Sequence, residues 1–296
     1  MMEPARLPPV ALSPSQVQDM QRTFAALAAA LAEHPSLDVR HMRNLSAPAA
    51  PGTRRVAVRC DVAGDPAWTL AMARHAARQA LPTTFFLNHR EAYFGNTGWL
   101  ESFLVAGPEL GLKLIPWMAG DPAPEQAAAM IGASVEWLRS RCVDLRGVAF
   151  DPPCWGVAAE GYELFHGWGV NGRTHEGDIP LQTIDPAALG IAYTTLFGRP
   201  VTADEAASKT YFALTAASSY AATALRHAYW GNNPLWDWDA TTTIAYGGNG
   251  AWVRYHGTSA DRPETHWNVE TLISWLATMP SAGRTIFLFD PRLMAD

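Results

Sequence analysis

The chain has 296 residues, of which 48% are hydrophobic and only 17% are charged, and its formal net charge is −6. A charged fraction below the usual ~25% argues against disorder, and a chain of this length is able to bury roughly three quarters of its unfolded surface in one body. The acidic balance, without a block of Lys or Arg, argues against nucleic acid and anionic membranes as main partners. The three cysteines form no Cys-x-x-Cys pair, so neither a disulfide framework nor a thiolate zinc site is expected.

The first predicted element is an amphipathic helix that begins just after Ser13. Its amino end has the sequence Ser13-Pro14-Ser15-Gln16, which is typical of a capping box with proline at the first helical position. Apolar residues recur at helical spacing as Val17, Met20, Phe24, Leu27 and Leu31. The Ala-rich run at 24–32 resembles a signal-peptide core, but it begins late and is weakly hydrophobic. No apolar run reaches the ~18–20 residues of a membrane span, so we expect a cytoplasmic protein.

From residue 53 onwards, short apolar segments alternate with helical ones, which is the pattern of an α/β fold. Strands are predicted at 55–62, 83–88, 112–118, 147–150, 191–196 and 285–289. Helices are predicted at 66–80, 98–110, 122–141, 158–167 and 203–227. One segment departs from this alternation, since residues 241–256 have the pattern of a β-hairpin with a Gly-rich turn.

Asp-Pro dipeptides mark the starts of several of these helices, because Asp caps free backbone N–H groups and Pro fits the first turn. They begin at Asp65, Asp121, Asp151, Asp185 and Asp290. Two of them directly follow apolar strands, which indicates parallel strands that feed helices. The number of strands favours a barrel-like arrangement over an open sheet. We therefore predict one barrel domain over 53–296, with an insertion at about 200–262 that contains the hairpin, and a tail, helix and linker at 1–52 packed on the barrel.

Chemistry in such a barrel gathers at the carboxyl ends of the strands. The residues that the sequence puts at those ends are largely polar or aromatic. They are Asp61, Asn88, His89, Arg90, Glu91, Trp117, Asp151, Cys154, Trp155 and Asp290.

Three segments of the chain carry a resemblance to a known family. The first contains Arg59-Cys60-Asp61-Val62, then Asp65-Pro66, and after a helix Pro82-Thr-Thr-Phe-Phe86; the second is Glu109-Leu-Gly-Leu-Lys113, and the third is Ile286-Phe-Leu-Phe-Asp290-Pro291. In this order they resemble the polysaccharide deacetylase (NodB-like) family, in the branch with Arg-His-Asp-Val-Asp, Glu-Ile-Gly-Leu-His and Thr-His-Pro at these places. The resemblance covers roughly residues 55–151 and the last strand, and it implies the distorted barrel.

The family hydrolyses N- or O-acetyl groups with a metal that one Asp and two His hold, while a neighbouring Asp acts as base. In this chain the resemblance leaves Asp61 at the base position and Ala63 in place of the second acidic residue. Lys113, Pro116 and Asp290 stand where the family has histidines. We therefore expect neither the family's metal site nor another cofactor.

The substitution of a metal ligand by Lys113 preserves positive charge. Its ammonium group is expected to balance the Asp61 carboxylate and to stabilise an oxyanion in a dry pocket. Asp290 then replaces the lost histidine as acid or base. The alternative is a structural ion pair at Lys113 in a protein that has lost catalysis.

His89 and Asp151 are further catalytic candidates with plain structural alternatives. His89 is expected to act as a general base or as a relocated metal ligand, unless residues 88–91 are simply an exposed polar loop. Asp151 either lines the pocket or only caps a helix. The residues expected to bind substrate are Arg59, Asn88, Glu91, Trp117, Trp155, Trp236 and Trp238. The last two belong to an aromatic group that forms either a lid or a packing cluster.

These observations predict an enzyme that has diverged from polysaccharide deacetylases and acts without the family metal by acid/base catalysis. Its partner is expected to be a small molecule that bears an amide, an acyl-amino group or a sugar. Two alternatives remain open, namely a ligand-binding protein without catalysis and a metal-dependent deacetylase with rewired ligands. The sequence gives no indication of the oligomeric state.

Overall fold

The structure is a computed structural model, and it describes residues 6–7, 9–114, 127–150, 172–174, 177–179, 189–194, 241–247, 252–256, 268–278, 281 and 283–295. The chain divides into two compact units. The first unit comprises Pro8–Gly111 and Trp238–Asp296, and the second comprises Met1–Leu7 and Leu112–Asp237.

In chain order, the described part of the chain contains helices and strands in regular alternation over its first half. They are α1 (Pro14–Glu33), β1 (Leu37–Arg40), a 3-10 helix (Met42–Asn44), β2 (Arg54–Val62), α2 (Pro66–Arg78), β3 (Thr83–Asn88), α3 (Thr97–Ala106), β4 (Glu109–Leu114), α4 (Ala127–Ser140), β5 (Gly147–Phe150), β6 (Gly172–Thr174), β7 (Gly177–Ile179), β8 (Tyr193–Thr194), β9 (Thr241–Tyr246), β10 (Trp252–His256), α5 (Val269–Thr278), β11 (Arg284–Phe289) and α6 (Pro291–Ala295).

The first unit is built on a mostly parallel sheet. Its strands follow the order β10-β9-β11-β2-β3, and β1 pairs with the beginning of β2. Every pair is parallel except β10 with β9, which form the predicted hairpin. This arrangement confirms the predicted α/β class and the parallel strands that feed helices. The barrel closure and the domain boundary at residue 53 stay predictions.

The two faces of this sheet differ in chemistry. Cys60, Phe289 and Tyr246 share one register row, and the Phe24 ring of α1 packs edge-on against Phe289 with 5.4 Å between centroids. Because side chains alternate along a strand, the neighbours of this row emerge on the opposite face. We call that opposite face, near the carboxyl ends of β2, β3 and β11, the polar face; its residues are Arg59, Asp61, Phe86, Asn88, Leu288 and Asp290.

Local sequence signals set the helix starts as predicted. Ser13 and Gln16 form a reciprocal capping box, in which the Gln16 N–H donates to Ser13 Oγ at 3.3 Å and the Ser13 N–H donates to Gln16 Oε1 at 2.8 Å. Asp65 accepts from the Ala67 N–H at 2.9 Å, and Asp290 accepts from the Arg292 N–H at 2.9 Å. The other three Asp-Pro dipeptides lie outside the described residues.

Strand β4 begins earlier than predicted. The helix before it ends at Ala106 because Gly107 adopts a left-handed conformation with φ of 75° and Pro108 follows, which leaves Glu109 to start the strand. The Glu109 carboxylate accepts hydrogen bonds from Thr84 Oγ1 at 2.6 Å and from Arg43 Nε at 3.0 Å. The prediction that the helix extends to residue 110 is therefore wrong.

The second unit contains the end of β4, which pairs in parallel with β5, and β5 pairs in parallel with β8. The Tyr193 ring of β8 lies against Gly147 so closely that a Cβ would overlap it, which explains glycine at the start of β5. Strands β6 and β7 form a short antiparallel pair. The predicted helices at 158–167 and 203–227 lie outside the described residues. Among the described helices, none has the length and apolar character needed to cross a membrane.

Helix α1 is fixed to the sheet by a polar contact as well as by its apolar side. Its buried residues are Met20, Phe24, Leu27, Ala28 and Leu31. Beside them, the hydroxyl of Tyr246 in β9 donates to Asp19 and accepts from Thr23 Oγ1 at 3.0 Å. Burial and then the hydrogen bond to Asp19 raise the pKa of Tyr246 to about 12.

We predict that this tyrosine makes the stability of the protein fall at alkaline pH. The pKa of this tyrosine is about 12 in the folded chain and 10.0 ordinarily, so the unfolded chain ionises first as the pH rises. The contribution of the tyrosine to the stability of the folded chain is therefore complete below pH ~10 and is lost as the pH rises toward ~12. Urea unfolding of wild type and Tyr246→Phe at pH 8 and at steps between pH ~10 and ~12 measures this. The free energy of unfolding should fall more steeply in wild type, and equal slopes would contradict the prediction.

Candidate functional site

The candidate site lies at the carboxyl edge of the sheet in the first unit, where three adjacent parallel strands end. Asp61 is the last but one residue of β2, Asn88 ends β3 and is followed by His89, and Asp290 directly follows β11. Strands β3 and β11 pair with β2 on its two sides, so the three strand ends are about 4.8 Å apart from one to the next. All four of these side chains are buried.

Asp61 is held by a cation from its own strand. Arg59 Nε donates to Asp61 Oδ1 at 2.7 Å, and Arg59 Nη2 donates to Asp61 Oδ2 at 2.6 Å. The two residues share a face because they are two positions apart in a strand. The guanidinium also lies over the Phe86 ring, 5.2 Å from its centroid. Such bidentate, charge-assisted pairing favours the ionised carboxylate and fixes its orientation.

The residues after β3 form a compact buried turn and not an exposed polar loop. The Arg90 N–H donates to Asn88 Oδ1 at 2.9 Å, and the Glu91 N–H donates to the Asn88 carbonyl at 3.2 Å. His89 is 1% exposed, and Arg90 and Glu91 are equally enclosed. The side-chain bond from Asn88 therefore shapes the turn that carries His89.

Tyr93 joins the ends of β2 and β3. Its hydroxyl donates to the Val62 carbonyl at 2.7 Å and accepts from the Asn88 N–H at 2.9 Å. Val62 is the register partner of Leu87, so a direct bond from the Asn88 N–H to the Val62 carbonyl would continue the parallel ladder. The hydroxyl stands between these two groups, and it separates the strands where the candidate site begins.

A second ion pair connects the segments that follow β3 and β11. Arg292 Nη2 and Nε both donate to Glu91 Oε1, at 2.5 and 3.1 Å. The side chain of Glu91 is 3% exposed and that of Arg292 is 20% exposed. Because β3 and β11 flank β2, this pair ties the two neighbours of the Asp61 strand together at the same edge. Glu91, which the sequence predicts to bind substrate, thus also has a structural partner.

The structure brings half of the predicted site residues to one edge: Arg59, Asp61, Asn88, His89, Glu91 and Asp290. Lys113 is fully buried in the part of β4 that belongs to the second unit. The remaining predicted residues lie outside the described part of the chain, and they are Trp117, Asp151, Trp155, Trp236 and Trp238. Tyr93 and Arg292 are the site residues that sequence reasoning missed.

The described residues do not fit the metal site that the deacetylase resemblance implies. Both oxygens of Asp61 accept hydrogen bonds from Arg59, and no group of three or more His, Cys, Asp or Glu among the described residues is placed to hold a metal ion. Cys60 emerges on the face opposite to Asp61, and burial raises the pKa of its thiol, which disfavours the thiolate.

Comparisons with known proteins found no match for this chain. No protein-family model matches the chain, and no curated protein or solved structure matches it. The chemistry of the site therefore has to be inferred from its own residues, and the deacetylase resemblance remains a proposal.

We predict that Tyr93→Phe destabilises the protein by about 1–3 kcal/mol, because it leaves the Val62 carbonyl and the Asn88 N–H without their buried partner. Urea unfolding at neutral pH measures the loss. Tyr246→Phe is the matched control and should lower the free energy of unfolding by less. The reason is that Asp19, the partner of Tyr246, is 37% exposed, so water can replace the lost hydroxyl. A loss for Tyr93→Phe no larger than that for Tyr246→Phe would show that the hydroxyl does not hold the strand ends.

Proposed function

We propose that this protein is an enzyme that works by acid/base catalysis, without the deacetylase metal, on a small molecule that bears an amide, an acyl-amino group or a sugar. We propose further that its scaffold is a diverged barrel of the polysaccharide deacetylase type. The observation that carries the proposal is the convergence of Asp61, His89 and Asp290 at one buried edge of parallel strands. Catalytic groups of α/β proteins commonly lie at such edges.

His89 is the proposed proton donor and acceptor. Imidazole is the side chain whose ordinary pKa lies closest to neutral pH, so it exchanges protons readily there. It is enclosed at the end of β3, and the turn that carries it is fixed by the Asn88 side chain and by Tyr93. A fixed imidazole at a strand end is suited to transfer a proton to or from a bound ligand.

Asp61 and Asp290 have complementary proposed roles. Arg59 keeps the Asp61 carboxylate ionised and immobile, which favours a role in orienting the substrate and in stabilising positive charge that develops nearby. Asp290 is the second acid/base group, at the other side of β2 and 4% exposed. Lys113 remains the proposed stabiliser of a developing oxyanion, on the basis of its place in the sequence motif.

A second candidate function, a ligand-binding protein without catalysis, is favoured by one observation. Both oxygens of Asp61 are engaged by Arg59, and a buried ion pair of this kind also serves fold specificity alone. In that case the polar face binds a ligand and leaves it unchanged.

We predict that His89→Ala lowers turnover by about 10²–10⁴-fold, which is the usual contribution of a positioned acid/base group. Wild type is first screened for turnover of N-acetylated amines, N-acetyl sugars and simple amides, with product formation followed by proton NMR. The matched control is His75→Ala, which removes an imidazole from α2 on the opposite face of the sheet, where it contacts the Phe24 ring. Its turnover should equal that of wild type.

The outcomes separate the candidates. Unchanged turnover in His89→Ala would refute the role of this residue, and a wild type that binds a panel member tightly without converting it would favour the binding protein. Stoichiometric zinc, nickel or cobalt in the purified protein, with activity lost on chelation, would overturn the metal-free part of the proposal.

A further inference from the structure

The side chain of Asn88 has a buried donor with no partner. Its Oδ1 accepts from the Arg90 N–H at 2.9 Å, which fixes the orientation of the amide group. Its Nδ2 is buried and, within the described part of the chain, has no hydrogen-bond partner. A buried donor without a partner destabilises the protein, and a hydrogen bond to a ligand oxygen at Nδ2 would remove that penalty.

The position of this donor relates it to the candidate site. Asn88 and Phe86 are two residues apart in β3, and Phe86 is the register partner of Asp61. The Cβ atoms of Asn88 and Asp61 therefore emerge on the same face of the sheet. Because Nδ2 is enclosed, a ligand that reaches it has to displace the side chains that cover it. The hydrogen bond that the ligand then accepts from Nδ2 offsets part of the free energy needed to displace them.

The buried and half-buried charged side chains that the structure describes at this edge are balanced in sign. Among the described residues that end or follow β2, β3 and β11, the buried and half-buried charged side chains are three guanidinium groups and three carboxylates. They are Arg59, Arg90 and Arg292, and Asp61, Glu91 and Asp290. Two ion pairs lie at this edge, Arg59 with Asp61 and Arg292 with Glu91. A charged ligand would add an uncompensated charge to this buried environment, which is costly.

We infer that this edge binds an uncharged ligand and that Asn88 Nδ2 donates a hydrogen bond to its carbonyl or hydroxyl oxygen. Asn88 is thus a specificity-determining residue that selects an oxygen acceptor without net charge. The inference rests on the proposed function, since it narrows the ligand class of the same site.

Three probes of nearly equal shape test the charge preference: acetamide, which is neutral, acetate, which is an anion, and acetamidinium, which is a cation. Each is titrated into ¹⁵N-labelled protein, and NMR follows the side-chain amide of Asn88 and the backbone amides of residues 88–91. We expect acetamide to shift these signals with a dissociation constant at least about tenfold below those of the two ions, because the ions add a buried charge.

The substitution Asn88→Asp tests the donor. An aspartate retains the oxygen that accepts from the Arg90 N–H, so the turn is preserved, but it replaces the Nδ2 donor by an acceptor and adds one negative charge. We expect the order of the probes to change, with acetamidinium binding tightest. Asn96→Asp is the matched control, because Asn96 is an exposed cap that accepts from the Gly98 N–H at 3.0 Å; it should bind the probes like wild type.

Tightest binding of acetate or acetamidinium by wild type would overturn the inference, as would the absence of any shift at residues 88–91 with all three probes. These wild-type results decide the question even if Asn88→Asp fails to fold. An unchanged order of the probes in a folded Asn88→Asp protein would refute the role of Nδ2. If the probes contradict the inference but His89→Ala still loses turnover, only the inference about Asn88 fails and the proposed function stands. If acetamide binds as expected but wild type shows no turnover, only the proposed function is refuted.

Discussion

The pairing of Arg59 with Asp61 is the interaction on which the candidate site depends. A carboxylate with no exposed surface is costly to bury, and the cost is offset only if a cation and good hydrogen-bond geometry accompany it. Arg59 meets both conditions from two residues away in the same strand. This pair makes one face of the sheet polar near the carboxyl end of β2, while the helices α1 and α2 cover the other face.

Two further contacts extend this pair into a site. The Tyr93 hydroxyl separates β2 from β3, and the Glu91–Arg292 ion pair ties the segments after β3 and β11 together. Both contacts lie around the strand that carries Asp61. Together they hold His89, Asn88 and Asp290 at fixed places, and the balance of buried charges among them gives the edge its proposed preference for an uncharged ligand.

The fold could be predicted where local signals dominate. The capping box at Ser13, the caps at Asp65 and Asp290 and the hairpin of β9 with β10 are set by residues close in sequence. Strand β1 was not predicted because its four residues are all partly exposed and show no alternation. The sequence predicts the start of β4 at residue 112, later than Glu109 where the strand begins. The reason is that Glu109 is buried through contacts with Thr84 and Arg43, which are distant in sequence.

The candidate site was predictable only in outline. The rule that catalytic groups follow parallel strands predicted Asp61, His89 and Asp290 as candidates, and the structure places all three at the ends of adjacent strands. The structure shows that Arg59 donates to Asp61, and their spacing of two residues in a strand was the signal for this pair; the pairing of Lys113 with Asp61 stays a prediction. Tyr93 and Arg292 act through contacts 31 and 201 residues apart in the chain, and no local pattern indicates such pairs.

The most direct test of the central role of Arg59 and Asp61 is a double-mutant cycle in urea unfolding, with Arg59→Met, Asp61→Asn and the double variant. We expect each single substitution to lower the free energy of unfolding by about 3–5 kcal/mol, because it leaves a buried charge without its partner. The double variant should lose clearly less than the sum of the two single losses, since no unpaired charge of this pair remains. Additive losses would contradict the view that this pair supports the polar face.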